Sequence, residues 1–274
     1  QPDSELSRFN QTASRAPFKV SASFASVVRL ALDINRRSNG AFDPTLGPLI
    51  DLWGFGPSHP PEGPLPSDEA ITQAKALTGC ARLTVTPADE LQKDMAGLRL
   101  NLSAIAKGFG VDEVARIIRF YGIDNAFVEI GGEVVAYGLN ADHQKWRVGI
   151  DSPVPGRLPG ESMEAILNIS GLAVATSGDY RNFFSDAQGK TYSHILDPRT
   201  GRPVTHTLAS VTVVASNCMM ADALATTLFV MGADEGLKWI ESQPGVSALF
   251  TSRNPDGSFT QKASASFMEM TGCE

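Results

Sequence analysis

Apolar residues along this chain recur with two periods, and the switches between them mark the elements. In "SFASVVRLALDINRRSNGAFD" they return every three to four positions from about Ser23 and stop at Asn39-Gly40, which predicts an amphipathic helix closed by a turn. A short helix is predicted behind Ser67, with Asp68 and Glu69 in its first turn and Gly79 past its end. "LRLNL" (Leu98–Leu102) alternates like a strand. The next stretch, "NLSAIAKGFGVDEVA", turns into a helix that runs to about Phe120 and stops near Gly122.

Further strands are predicted in "AFVEIGGEVVAYG", "WRVGI", "LAVATSG", "ASVTVVA" and "VSALFTS". "SNCMMADALATTLFVMG" reads as a helix capped by Ser216 or Asn217. "PSHPPEGPLPS" is rich in proline and glycine and reads as a surface loop. Strands come in runs as well as alternating with helices. The expectation is therefore an α+β fold, with mixed sheets and flanking helices in two intimate lobes, and not a doubly wound sheet.

Composition changes that picture only at its edges. With 274 residues, 42% hydrophobic and 19% charged, the chain can bury a sizeable core. Its net charge of −7 argues against a general nucleic-acid surface, which needs a basic face. An anionic ligand must then be held locally, by a few cations, backbone N–H groups or a metal. No window approaches the ~20 apolar residues of a membrane span. Cys80, Cys218 and Cys273 form no metal-ligand spacing, and an odd count allows at most one bridge.

Five stretches could carry chemistry. Lys107, with Gly108 and Gly110 at a helix start, is a candidate anion site, because glycine admits close backbone approach and a helix N-terminus offers N–H groups; a surface lysine in a turn is the plain alternative. Gly131-Gly132 interrupts a strand pattern, which fits a bulge or a closely approaching ligand. Ser177, Gly178 and Asp179 make a tight turn after a buried strand. His194, two residues after Tyr192, is suited to proton transfer near neutral pH, or is simply packed. Asp222 and Thr226, four apart on an apolar helix, are hard oxygen donors suited to Mg²⁺ or Ca²⁺; the bland reading gives them local helix contacts.

Taken in order, "SELSRFN", "GAFDPTLGPLIDLWGFG", "LSAIAKGFGVDEVA", "VEIGGEV", "ATSGDYRNFF", "HILDPRTGRPV" and "ADALATTLFVMG" resemble the bacterial FAD:protein FMN transferases, the ApbE family, over nearly the whole chain. The resemblance implies a single domain over 1–274 that binds FAD in a cleft of an α+β fold. It implies Mg²⁺-dependent cleavage of the FAD pyrophosphate, FMN joined by a phosphoester to a threonine or serine of a target protein, and release of AMP. It implies a metal site of Asp222, Thr226 and the carbonyl of Ala104. Glu5, Asn10, Lys107, Glu129, Gly131, Gly132, Ser177, Gly178, Asp179, Tyr180 and His194 would contact FAD, and His194 with Asp222 would serve the transfer. The target would be a subunit of a membrane redox complex with a D-G-x-[ST]-G-A-[ST]-like acceptor. The family's setting is periplasmic, with a lipid anchor on the inner membrane, and its N-terminal strand and first helix would precede "SELSRFN". The chain departs from the family pattern at Asn101, where aspartate is usual, and at Glu129, where asparagine or aspartate is common. Rival readings in the same site are an FAD pyrophosphatase giving FMN and AMP, and a flavin-binding protein without transfer.

Overall fold

A computed structural model describes residues 1–56, 65–154, 156, 160–179, 183–186 and 188–271. Most of the proline-rich loop and Tyr180 lie outside the described residues, as does Cys273. The chain divides into two compact units, 1–103 with 183–204, and 104–182 with 205–274.

The first unit opens with α1 (Glu5–Gln11), β1 (Phe18–Lys19), α2 (Ala22–Arg37), α3 (Gly47–Leu52), α4 (Asp68–Lys75), β2 (Leu83–Val85) and β3 (Glu90–Lys93). Ser21 caps α2 by accepting the Phe24 N–H, and the carboxylate of Glu5 accepts both the Ser21 N–H and its hydroxyl. Helix α1 thus completes a capping box for α2 from a distance. The helix predicted from Ser23 starts one residue earlier and buries Ala25, Val27, Val28, Ala31 and Ile34. Ser67 caps α4 as expected.

Strands β1, β3 and β2 form a three-stranded antiparallel sheet in that order. The strand expected at Leu98–Leu102 joins no sheet. Its alternation is real, since Leu98, Leu100 and Leu102 are buried, but its one ladder contact is an isolated parallel bridge from Arg99 to Leu46. Side chains and a loop carbonyl take the ladder's place. Asn10 donates to the Leu100 carbonyl and accepts its N–H, both at 2.8 Å, and the Asn101 N–H reaches the Pro44 carbonyl at 2.7 Å. The buried Lys93 donates to the carbonyls of Phe9 and Leu98 and lies 4.8 Å from the centre of the Phe9 ring.

The second unit begins with α5 (Ala106–Phe120), β4 (Ala126–Ile130), β5 (Glu133–Tyr137), β6 (Trp146–Asp151), β7 (Met163–Ile169) and β8 (Leu172–Gly178). The chain then returns to the first unit for β9 (Phe183–Ser185), β10 (Thr191–Ser193), β11 (Leu196–Asp197) and β12 (Arg202–Pro203). These form two antiparallel hairpins, and Trp53 anchors the second through a 2.9 Å bond to the Gly201 carbonyl.

The second unit closes with β13 (Leu208–Ala215), α6 (Cys218–Met231), α7 (Ala233–Ile240), β14 (Ser247–Arg253), β15 (Phe259–Ala263) and α8 (Ala265–Thr271). Its six-stranded sheet runs β15-β14-β13-β8-β5-β4. The β6–β7 hairpin and Phe267 of α8 cover one face, through Val148, Ile150, Leu167 and Ile169. Helices α5 and α6 cover the other, where Val111, Ala115 and Cys218 meet Val128, Val135 and Ala173. The α+β class holds. Among the described strands, however, every pair is antiparallel, where mixed sheets were expected. Gly131-Gly132 is neither bulge nor strand but the two-residue turn of the β4–β5 hairpin, with φ of +65° and +101°. Two successive left-handed residues suit the twist of a tight hairpin, and glycine reaches them without strain.

Candidate active site

The second unit holds most of the predicted residues, and it sets Ala104, Lys107, Gly131 and Asp222 about the first turn of α5. Helix α6 is apolar on nearly all sides and buried along its length, so its single acid, Asp222, enters the interior with it. Asp222 is 4% exposed and accepts the Gly108 N–H at 2.9 Å. Gly108 is the third residue of α5, so its N–H has no partner within the helix. The contact needs glycine: a Cβ there would stand 2.2 Å from the Cys218 carbonyl oxygen and 2.8 Å from the Asp222 Cβ.

Lys107 Nζ meets Glu133 Oε1 at 2.5 Å. Glu133 is 1% exposed at the start of β5, whereas about half of the Lys107 side chain is open to solvent. The lysine therefore carries its charge at the rim while being held from inside. A side chain on Gly131 would touch both the Lys107 stem, at 3.6 Å, and Glu133, at 3.7 Å. Glu129 accepts the Gly132 N–H at 2.7 Å and so fixes the hairpin turn.

Ser177 and Thr226 share a hydroxyl–hydroxyl bond of 2.8 Å, which ties the end of β8 to α6. Gly178 lies in the β8–β13 ladder opposite Ser210. Asp179 is engaged by Arg253 at 3.2 Å. Ala104 stands in the turn that enters α5. The other predicted residues fold into the first unit. Glu5 and Asn10 hold α2 and Leu100 as described, and His194 packs edge-on to Phe55 with ring centres 6.3 Å apart.

Burial, and then the Glu133 charge, push the Asp222 carboxyl up to about 6, against the pull of the Gly108 and Lys107 N–H groups and the Lys107 charge. Two buried carboxylates share one lysine, so the site carries surplus negative charge that a cation would offset. Among the described residues no three His, Cys, Asp or Glu side chains cluster as a metal site. The donors that α6 offers are one carboxylate, Asp222, and one hydroxyl, Thr226, four residues on. That set fits Mg²⁺, which takes few protein oxygens and keeps several waters, and it does not fit zinc.

Sequence reasoning passed over Asp112, Glu133 and Arg253 as site residues, and took Gly108 only as part of an anion-binding motif, not as a contact of Asp222. Glu133 left a readable signal, a lone acid in the apolar run "GGEVVAY", because a buried charge demands a partner.

The profile of the ApbE family matches residues 1–250. The FAD:protein FMN transferase of Vibrio cholerae is 45% identical over 265 residues, 97% of this chain and 77% of that protein. The FAD:protein FMN transferase of Escherichia coli K12 is 38% identical, over 93% of this chain and 72% of that one. Among solved structures, the flavin transferase ApbE of Vibrio cholerae superposes with a TM-score of 0.85 at 43% identity, covering 98% of this chain and 84% of its own. The apo flavinyl transferase ApbE of Pseudomonas stutzeri gives 0.88 at 37%, covering 100% and 83%.

Proposed function

This chain belongs to the ApbE family, and on that premise we propose that it transfers FMN from FAD to a threonine or serine hydroxyl of a protein acceptor, with release of AMP. The acceptor oxygen forms a bond to the FMN phosphorus, the bridging P–O bond of the pyrophosphate breaks, the hydroxyl proton departs and AMP leaves. The observation that carries the reading is the buried Asp222 set against the first turn of α5, beside a lysine fixed at the rim.

Asp222, Thr226 and the Ala104 carbonyl would hold Mg²⁺, which when bound neutralises charge developing on the pyrophosphate. Lys107 binds a phosphate oxygen from the rim, and its bond to Glu133 fixes the direction of approach. The Gly131-Gly132 turn admits the nucleotide because no Cβ projects from it. Ser177 orients the Thr226 hydroxyl. By the family resemblance, Glu5, Asn10, Glu129, Gly178, Asp179 and Tyr180 would contact FAD. His194 takes the proton of the incoming hydroxyl. The acceptor is a subunit of a membrane redox complex with a D-G-x-[ST]-G-A-[ST]-like segment, and the reaction belongs in the periplasm at the inner membrane, where a lipid anchor holds the enzyme. No helix among the described residues is long and apolar enough to cross a membrane.

The test is intact-mass spectrometry of an acceptor domain incubated with the protein, FAD and Mg²⁺. The expected result is a mass gain of one FMN, absent with Asp222→Ala. AMP release that depends on Asp222 but leaves the acceptor unchanged would support the pyrophosphatase reading. Bound FAD with neither product would leave a flavin-binding protein.

A further inference from the structure

We propose that Asp112 is a positioning residue for Asp222, holding the N-terminus of α6 against α5 so that the Asp222 carboxylate meets the Gly108 N–H. The proposal rests on the reading of Asp222 as a cation ligand.

The two helices are joined by exchanged contacts. Asp112 projects from α5, and its two carboxylate oxygens accept the N–H groups of Cys218 and Met219, each at 2.8 Å. Those are the first two donors of α6, which have no partner in their own helix. One turn earlier on α5, the Gly108 N–H donates to Asp222, one turn into α6. Each helix thus supplies a carboxylate to the open N-terminal donors of the other.

Beside these contacts the backbones are tight, and only glycine at position 108 clears the Cys218 carbonyl. Asp112 and Gly108 share one face of α5, four residues apart. Asp222 and Cys218 are spaced likewise on α6, so the contacts are parallel rungs between two rigid rods. Loosening the Asp112 rung lets α6 shift, and Asp222 then leaves its aim. Asn217, the cap of α6, accepts the Met220 N–H within its own segment, and its bond makes no contact with α5. It strengthens the same helix end without setting its place.

The experiment compares Asp112→Asn with Asn217→Ala. Asparagine keeps one acceptor oxygen but turns an NH₂ group toward the second N–H. Mn²⁺ stands in for Mg²⁺, and the spectroscopic signal of the free ion reports binding without any turnover. The expected result is a dissociation constant for Mn²⁺ raised about 10- to 100-fold in Asp112→Asn, as for supporting residues behind metal ligands. Asn217→Ala should lower the melting temperature and leave Mn²⁺ affinity within about twofold of the parent. Hydrogen exchange of the Gly108 amide, read without metal, should quicken at least tenfold in Asp112→Asn alone. Unchanged Gly108 exchange in folded Asp112→Asn overturns the proposal, as does equal weakening of Mn²⁺ binding by both variants. An unmodified protein that binds no Mn²⁺ refutes the cation reading instead, and the Gly108 exchange still decides the placement of α6.

Discussion

At the scale of single residues, Gly108 joins local structure to chemistry. Alanine is normally the better helix former by about 1 kcal/mol. Here its methyl would meet the Cys218 carbonyl at 2.2 Å, and backbone on both sides leaves nothing flexible to yield. The clash must separate α5 from α6. Gly108→Ala is therefore expected to lose about 1–3 kcal/mol in chemical denaturation, in the range of overpacked cores, and to abolish FMN transfer to the acceptor. A variant as stable as the parent would mean that the helices can part without penalty. The buried thiol of Cys218 belongs to the same crowding, since burial and then the carboxylates of Asp112, Asp222 and Glu133 all raise its pKa. The "KGFG" motif read as anion-binding thus serves a second purpose, because its first glycine is where two helices touch.

At the scale of elements, α1 acts mainly as a clamp. Asn10 gives Leu100 both hydrogen bonds that a neighbouring strand would have given, and Glu5 holds Ser21, the cap of α2. Asn10→Ala removes an acceptor and a donor from a part-buried backbone, and is expected to cost about 1–3 kcal/mol in urea unfolding. Flavin affinity falling with no loss of stability would mean that Asn10 serves the ligand alone and that Leu100 does not depend on the clamp. This clamp explains where pattern reading succeeded and failed. The helix beginning near Ser23 was legible through its 3.6 period, and those behind Ser67 and Asn217 through a capping side chain placed just before them. The alternation at Leu98–Leu102 correctly signalled one buried face, but alternation says nothing about the pairing partner, which here lies 90 residues away in a side chain. The paired glycines were legible as a special backbone point. Their turn emerges only when Ile130 is seen opposite Glu133. Asp222 and Thr226 stood out by their i, i+4 spacing, but only the family resemblance raised them above local helix contacts, and the Gly108 contact, which joins positions 114 apart, left no local trace.

At the scale of the whole molecule, Glu164 links the β6–β7 hairpin to the large sheet. It stands on β7, accepts the hydroxyl of Thr251 on β14 at 2.8 Å, and is also engaged by Gln261 of β15. Burial raises its carboxyl above the ordinary value near 4.5, more than those two bonds lower it. The folded protein therefore keeps this proton at a pH where the unfolded chain has released it. The resulting stability is fully present below the ordinary carboxylate value and is lost as pH rises through the folded one. Glu164→Gln stays neutral throughout and can still accept from Thr251. Its stability relative to the parent should thus be near zero or slightly negative at pH 4 and should rise toward pH 7. The size of the rise will be modest, because the group is only half buried and solvent screens it. Urea midpoints of both proteins across that range measure the difference directly. A constant difference would mean that the Glu164 carboxyl titrates alike in the folded and the unfolded chain, and that its burial on the sheet does not disfavour the charge.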